Sequence, residues 1–298
     1  MPASAALLAD RTAWLLQSSL VPAAVRRAER QLLDSTPSEA ALRALLEFHQ
    51  DVVSPVSSAF AFSLPCSKAL QAMKRHAPTA GVIEMGCGNG LWCACLRREG
   101  VPAVAMEIAA PARPFVDVSL GSGAASTSLL AGATDAALFL CWPPLELEQG
   151  LVPNLMAHDA LAAYGGSVLM YVGEWRGAVG TISKLSDRTA DCGQTGGARF
   201  QAMVEAEWDL EESIAVPRWP GFADRLYIFT RRPCAPRQHA FEPRHATTGN
   251  LQPESLCTAP TAAQSLGDRM RHVLDLGLTD PASVGAALLL DGALLQPG

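Results

Sequence analysis

Between Ala5 and about His49 apolar residues recur at the three- and four-residue spacing of an amphipathic helix, and Pro22 and Pro37 stand where new helices start, the second behind Ser35 and Thr36 as caps. The pattern predicts two or three helices there, and a further short one from Ser67 to His76 that Pro78 ends. At Gly81 the period changes. Val82 to Met85 is a short apolar run suited to a strand, Gly86 to Gly90 a glycine turn, Leu91 to Glu99 a helix stopped by Gly100, and Ala103 to Ile108 a second strand. That order is a βαβ unit of the length a right-handed parallel crossover needs. Phe115 to Val118, Ala136 to Cys141 and Ser167 to Val172 read as the next three strands, with a helix from Asn154 to Ala163.

Arg176 to Gly197 carries five glycines among Ser, Thr and Asp and reads as a long surface loop, of the kind that serves as a lid or stays disordered. Helical spacing resumes from Phe200 to Glu207. Glu211 to Val216 and Arg225 to Thr230 form an antiparallel pair across Pro217-Arg218-Trp219-Pro220-Gly221. Beyond Arg232 the periodicity lapses until about Gln264, and two short helices are expected at Ser265 to Leu276 and Pro281 to Leu290. The chain therefore divides into a helical extension over 1–59, an α/β domain over 60–232, and a linker with a flexible tail over 233–298.

Composition narrows the function classes. A hydrophobic fraction of 49% with 17% charged residues is that of a folding chain. No apolar run reaches the ~20 residues of a membrane-spanning helix, so no membrane partner is expected. The net charge of -6, with three lysines against twenty arginines, argues against nucleic acid as a partner. The eight cysteines and six histidines show no metal-ligand spacing, so no metal is expected, and the cysteines read as reduced thiols of an intracellular protein. The N-terminus lacks a secretory signal, and Asp10 and Glu29 count against a transit peptide. The expected compartment is the cytoplasm, with organellar import as the alternative.

The segment Glu84-Met85-Gly86-Cys87-Gly88-Asn89-Gly90 carries the most chemistry. Glycines at alternate positions after a buried strand allow positive φ and let a ligand lie against bare backbone. A dinucleotide fingerprint requires Gly-x-Gly-x-x-Gly, but Leu91 occupies its third glycine position. This counts against a NAD-dependent oxidoreductase. An acid ending strand one, followed by Gly-x-Gly-x-Gly, is instead the pattern of S-adenosylmethionine sites, where Glu84 acts on the ligand's ammonium. Glu107, at the end of strand two, is placed to accept from both ribose hydroxyls, with Ile108 beside it. The plainer reading is an ordinary strand-to-helix turn between two strand-end acids.

Residues 60–232 resemble the class I S-adenosylmethionine-dependent methyltransferases, and within them a little-characterised methyltransferase-like family. The motifs that carry the resemblance are Val82 to Trp92, Leu138 to Pro144, Tyr171 to Glu174, and Val216 to Gly221 leading into Asp224-Arg225-Leu226-Tyr227. The resemblance implies an α/β, doubly wound, mostly parallel seven-stranded sheet with an antiparallel last strand, and S-adenosylmethionine as cofactor. Its cofactor residues here are Glu84, Gly86, Cys87, Gly88, Asn89, Gly90, Glu107, Ile108 and Ser122. The last stands in Gly121-Ser122-Gly123-Ala124, where an acid for the adenine amino group is expected and missing.

Strand four of amino-group methyltransferases often ends in Asn or Asp before Pro-Pro-Tyr, whereas this chain has Trp142-Pro143-Pro144-Leu145. Trp142 either stacks on a flat acceptor, walls the cofactor, or is a core residue at a strand end. Glu174, just past strand five, is a candidate acceptor-positioning or general-base residue, or else a solvated strand-end acid. The two leading readings are a methyltransferase acting on an unidentified small-molecule or protein acceptor and a non-catalytic methyltransferase-like fold used as an interaction module.

Overall fold

A computed structural model of the chain describes residue 10 and residues 20–34, 38–112, 114–121, 123–146 and 155–233. Helix α1 (Ala23–Asp34) begins immediately after Pro22, whose fixed φ suits a helix start. Helix α2 (Glu39–Phe48) is capped by Ser38, whose hydroxyl accepts from the Ala41 N–H at 3.4 Å. The expected caps Ser35 and Thr36 lie outside the described residues. Ala41, Leu45 and Phe48 form the buried stripe of α2. The helix runs on through a π-helical turn (His49–Val53) into α3 (Ser54–Ala59).

Helix α4 (Ser67–His76), strand β1 (Val82–Met85), helix α5 (Leu91–Arg98) and strand β2 (Ala103–Glu107) follow the hydrophobic pattern closely. Strand β3 (Val118–Leu120) starts three residues later than the pattern suggests. Its approach is occupied elsewhere, because the Phe115 N–H donates to the Asn89 carbonyl of the glycine turn at 2.7 Å. Helix α6 (Ala124–Gly132) was not anticipated; its Ala, Ser, Thr and Leu residues give no apolar face. Strand β4 (Ala137–Cys141), helix α7 (Met156–Ala163), strand β5 (Val168–Gly173), helix α8 (Gly197–Glu207), strand β6 (Trp208–Ala215) and strand β7 (Arg225–Arg231) complete the order.

The seven strands form one sheet in the order β3-β2-β1-β4-β5-β7-β6. All neighbouring pairs are parallel except those of β7, which runs antiparallel to both β5 and β6. This is the doubly wound class I methyltransferase sheet that the resemblance implies. The central strands are apolar on both faces, as parallel strands covered on both sides must be, with Leu138, Phe139 and Leu140 fully buried. One side of the sheet packs on α1 to α5 through Leu45, Phe48, Val56, Leu70 and Trp92. The other packs on α6 to α8 through Leu130, Leu161, Phe200 and Val204.

The segment over 176–197 corrects the expectation of a solvated surface loop. It holds a short 3-10 turn (Ser183–Leu185) and buries Ser183, Thr189, Cys192 and Thr195 against the sheet edge. Among the described residues no helix is long and apolar enough to cross a membrane. The helices expected past Gln264 lie outside the described residues.

Candidate functional site

Strand order reverses between β1 and β4, the place where open α/β sheets bind ligands outside the carboxyl ends of their strands. A cleft of about 380 Å³ opens there, within the ~300 to 1,000 Å³ typical of small-molecule sites. Glu84 at the end of β1, the glycine turn, Glu107 at the end of β2 and Cys141 at the end of β4 line it. The opposite wall comes from Ser57, Ser58, Phe60, Ala61 and Phe62, before α4, and from Ala109 to Ala112 after β2.

The turn has the backbone its sequence requires. Gly86, Gly88 and Gly90 take φ of 70°, 54° and 74°, a region that L side chains rarely enter. A Cβ on Gly90 would stand 2.7 Å from Val116 Cγ2, whereas nothing lies within 4 Å of the space beside Gly88. The turn's first donors are already engaged. The Gly86 and Cys87 N–H groups donate to the Met106 carbonyl, each at 3.0 Å, and the Gly88 N–H donates to Glu107 Oε2 at 2.9 Å. Glu107 Oε1 accepts from its neighbour, the Ile108 N–H, at 2.9 Å. The Glu107 carboxylate is thus held at the lip of the cleft by backbone groups. Among the described residues no Lys, Arg or His lines the cleft.

Glu84 is 1% exposed, and its Oε2 has no hydrogen-bond partner. Burial pushes its carboxyl up to about 8, only partly opposed by hydrogen bonds from the thiol and backbone N–H of Cys93. Burial likewise raises the thiols of Cys87 and Cys93, which disfavours their thiolate forms. Asn89 Nδ2 donates to the Ser58 carbonyl at 2.7 Å and fastens the wall before α4 to the turn. Trp92 Nε1 donates to the Ser63 carbonyl at 2.9 Å and does the same one helical turn on.

The structure therefore brings Glu84, Gly86, Cys87, Gly88, Asn89 and Glu107 together around one cleft. Gly90 is the buried N-cap of α5, and Ile108 is 76% exposed beside Glu107, outside the cleft lining. Ser122 lies outside the described residues. Trp142 follows the lining residue Cys141, with its indole stacked on Phe62 at 5.4 Å and 9° between ring planes.

Glu174 stands apart from the cleft and is fully buried. Its Oε1 accepts from the N–H groups of Gly180 (2.6 Å) and Ala223 (3.0 Å); its Oε2 accepts from the Gln194 N–H (2.9 Å) and the Ser183 hydroxyl. A carboxylate with four donors from its own chain organises the 176–197 segment, and it is neither solvated nor turned toward an acceptor. The wall residues 57–62 had no signal in the glycine motif; their only hint is Asn89, a polar residue in a buried turn. Among the described residues no cluster of His, Cys, Asp and Glu is arranged to hold a metal ion.

No protein-family model matches the chain, and no curated protein matches its sequence. Solved structures do resemble its fold. A methyltransferase from Anabaena variabilis described as SAM-dependent shares 12% identity over 72% of this chain and 97% of its own, with a TM-score of 0.38. Another, from Archaeoglobus fulgidus, shares 11% over 63% of this chain and 99% of its own, at 0.37. Magnesium protoporphyrin IX methyltransferase from Synechocystis PCC 6803, solved with bound SAH, shares 13% over 69% of this chain and 94% of its own, at 0.36. Likenesses of this size transfer no site residue and no substrate. What the sheet order and the cleft at its switch point define is a class of fold, that of the class I methyltransferases.

Proposed function

We propose that the chain is an S-adenosylmethionine-dependent methyltransferase acting on a small-molecule or protein acceptor. The observation that carries this reading is the unpartnered, buried Oε2 of Glu84 in a cleft that holds a second acid, Glu107. A buried carboxyl oxygen without a partner costs roughly 1 to 3 kcal/mol, and a ligand ammonium placed on it supplies the missing donor and draws the carboxyl back to its charged form. The cleft suits this group in two further respects. Open space beside Gly88 admits a ligand against bare backbone, and the Glu107 carboxylate has lone pairs remaining for a pair of hydroxyls. When bound, the cofactor supplies a methyl group on a sulfonium, an electrophile that needs only a positioned nucleophile. The chain's part is then to bind, orient and exclude water. Cys141 and the Phe60–Phe62 wall close the apolar side of the cleft.

Calorimetric titration with S-adenosylmethionine and S-adenosylhomocysteine tests the reading. Glu107→Ala is expected to weaken binding by about 10- to 150-fold, the equivalent of roughly 1.5 to 3 kcal/mol for charge-assisted hydrogen bonds. No heat of binding from correctly folded protein would instead favour the fold as a non-catalytic interaction module.

A further inference from the structure

Strand four ends without the polar residue that usually orients an acceptor, yet a carboxylate stands at that point. It belongs to Asp224, the residue before β7, whose first residue Arg225 pairs with Gly173 at the carboxyl end of β5. Asp224 Oδ2 accepts from Trp142 Nε1 at 2.9 Å, while Oδ1 is buried with no partner. Asp224 itself is only 2% exposed.

Trp142 pays a conformational cost for this arrangement. It is the one non-glycine residue at positive φ among those described, at 51°, although a bulky side chain there is a true outlier. Strain of this kind persists only where its surroundings impose it, and it collects at binding sites and switches. The indole is bracketed by Phe62, stacked on one face, and by Phe222, whose ring meets it edge-on at 4.9 Å and 80°. Phe62 is itself part of the cleft wall and is 51% exposed, so the aromatic group is continuous with the cleft. Cys141, the residue before Trp142, lines the cleft as well.

A flat ring held between aromatic side chains, with its N–H on a buried carboxylate, describes a ligand as well as it describes Trp142. We propose that Trp142 and Asp224 form a gated acceptor site for a flat aromatic molecule bearing an N–H or O–H. In this site the indole pivots off Asp224, and the acceptor's N–H or O–H takes its place on the carboxylate. The proposal rests on the methyltransferase reading for the word acceptor, but not for the existence of the site. The closed form keeps the carboxylate from bulk water until a ring arrives.

Indole and 1-methylindole, which differ by the one N–H, are the probes. Wild-type protein is expected to bind indole weakly and to prefer it over 1-methylindole. Trp142→Phe keeps a ring in the stack but removes the competing N–H. It is expected to bind indole about 5- to 10-fold more tightly, because a ring with no hydrogen bond to Asp224 leaves the slot at lower cost. The double variant Trp142→Phe/Asp224→Leu replaces both partners by apolar groups, a change that leaves a fold nearly unaffected, and it is expected to lose the preference for indole. Thermal unfolding checks that each variant is folded. Equal affinity for the two probes, no gain in Trp142→Phe, or a preference that survives in the double variant would overturn the proposal. S-adenosylmethionine titrated into the same samples separates the two readings. An indole site with the expected pattern in a protein that does not bind the cofactor sustains the gate and removes methyl transfer.

Discussion

Among the described residues, the buried carboxylates Glu84, Glu174 and Asp224 differ in how fully they are satisfied. Glu174 has four donors from its own chain, whereas Glu84 and Asp224 each leave one oxygen without a partner. Burial raises Glu84 from an ordinary 4.5 to about 8 and Asp224 from 3.8 to about 7. Across that interval the folded protein holds protons that the unfolded chain has released, so this part of its stability is complete below about pH 4 and lost as pH rises through 7 to 8. The ligand-free protein is therefore expected to melt at lower temperature at pH 8 than at pH 6. Glu84→Gln should flatten that dependence and be at least as stable as wild type at pH 8, as differential scanning calorimetry would show. Glu84 and Glu107 were legible in the sequence because each ends a strand beside the glycine turn. The state of Glu174 was not legible, because its donors come from residues as distant as Ala223. The partner of Trp142 was hidden for the same reason: Asp224 is 82 residues further along.

At the level of elements, the β1-turn-α5-β2 unit could be read almost to the residue, since strand, glycines and amphipathic helix all follow from short-range pattern. The wall facing it could not. Residues 57–63 are fastened by two side chains of the turn and its helix, Asn89 to the Ser58 carbonyl and Trp92 to the Ser63 carbonyl. These contacts convert the segment before α4 into one side of the cleft. Asn89→Ala is expected to loosen that side. Hydrogen exchange over 57–63 should quicken, and S-adenosylmethionine affinity should fall about fivefold, in line with the ~1 kcal/mol of one hydrogen bond. Helix α6 and the start of β3 escaped the pattern for different reasons. The helix has no apolar face to detect, and the Phe115 backbone is committed to the glycine turn before its strand begins.

For the whole molecule, the N-terminal helices are continuous with the core. Leu45, Val56 and Phe60 are fully buried and belong to the same apolar cluster as Trp92, Trp219 and Ile228. The turn between β6 and β7 leans on them as well. The rings of Phe48 and Trp219 lie 6.4 Å apart, His49 Nε2 meets the Pro220 carbonyl at 2.5 Å, and Arg218 pairs with Glu29 at 2.8 Å. A fragment of residues 60–298 is expected to show no cooperative thermal transition by circular dichroism. Truncating one such buried side chain, as in Leu45→Ala, costs about 2 to 5 kcal/mol, and the fragment lacks several. Spacing in the sequence separates an extension from a domain at this point, but only the fold shows that the two share an interior.

The four donors of Glu174 also bear on how the chain assembles. They are spread from Gly180 to Ala223, so a chain still short of Ala223 has to place this acid incompletely paired against the end of β5 or leave it in water. Since β7 joins β5 only through the residues that follow, docking of the β6-β7 hairpin and closure of the 176–197 segment are coupled into one late, non-local event. Until then the β5 edge stands open, and it is there that a nascent or partly unfolded molecule is most exposed to pairing with another.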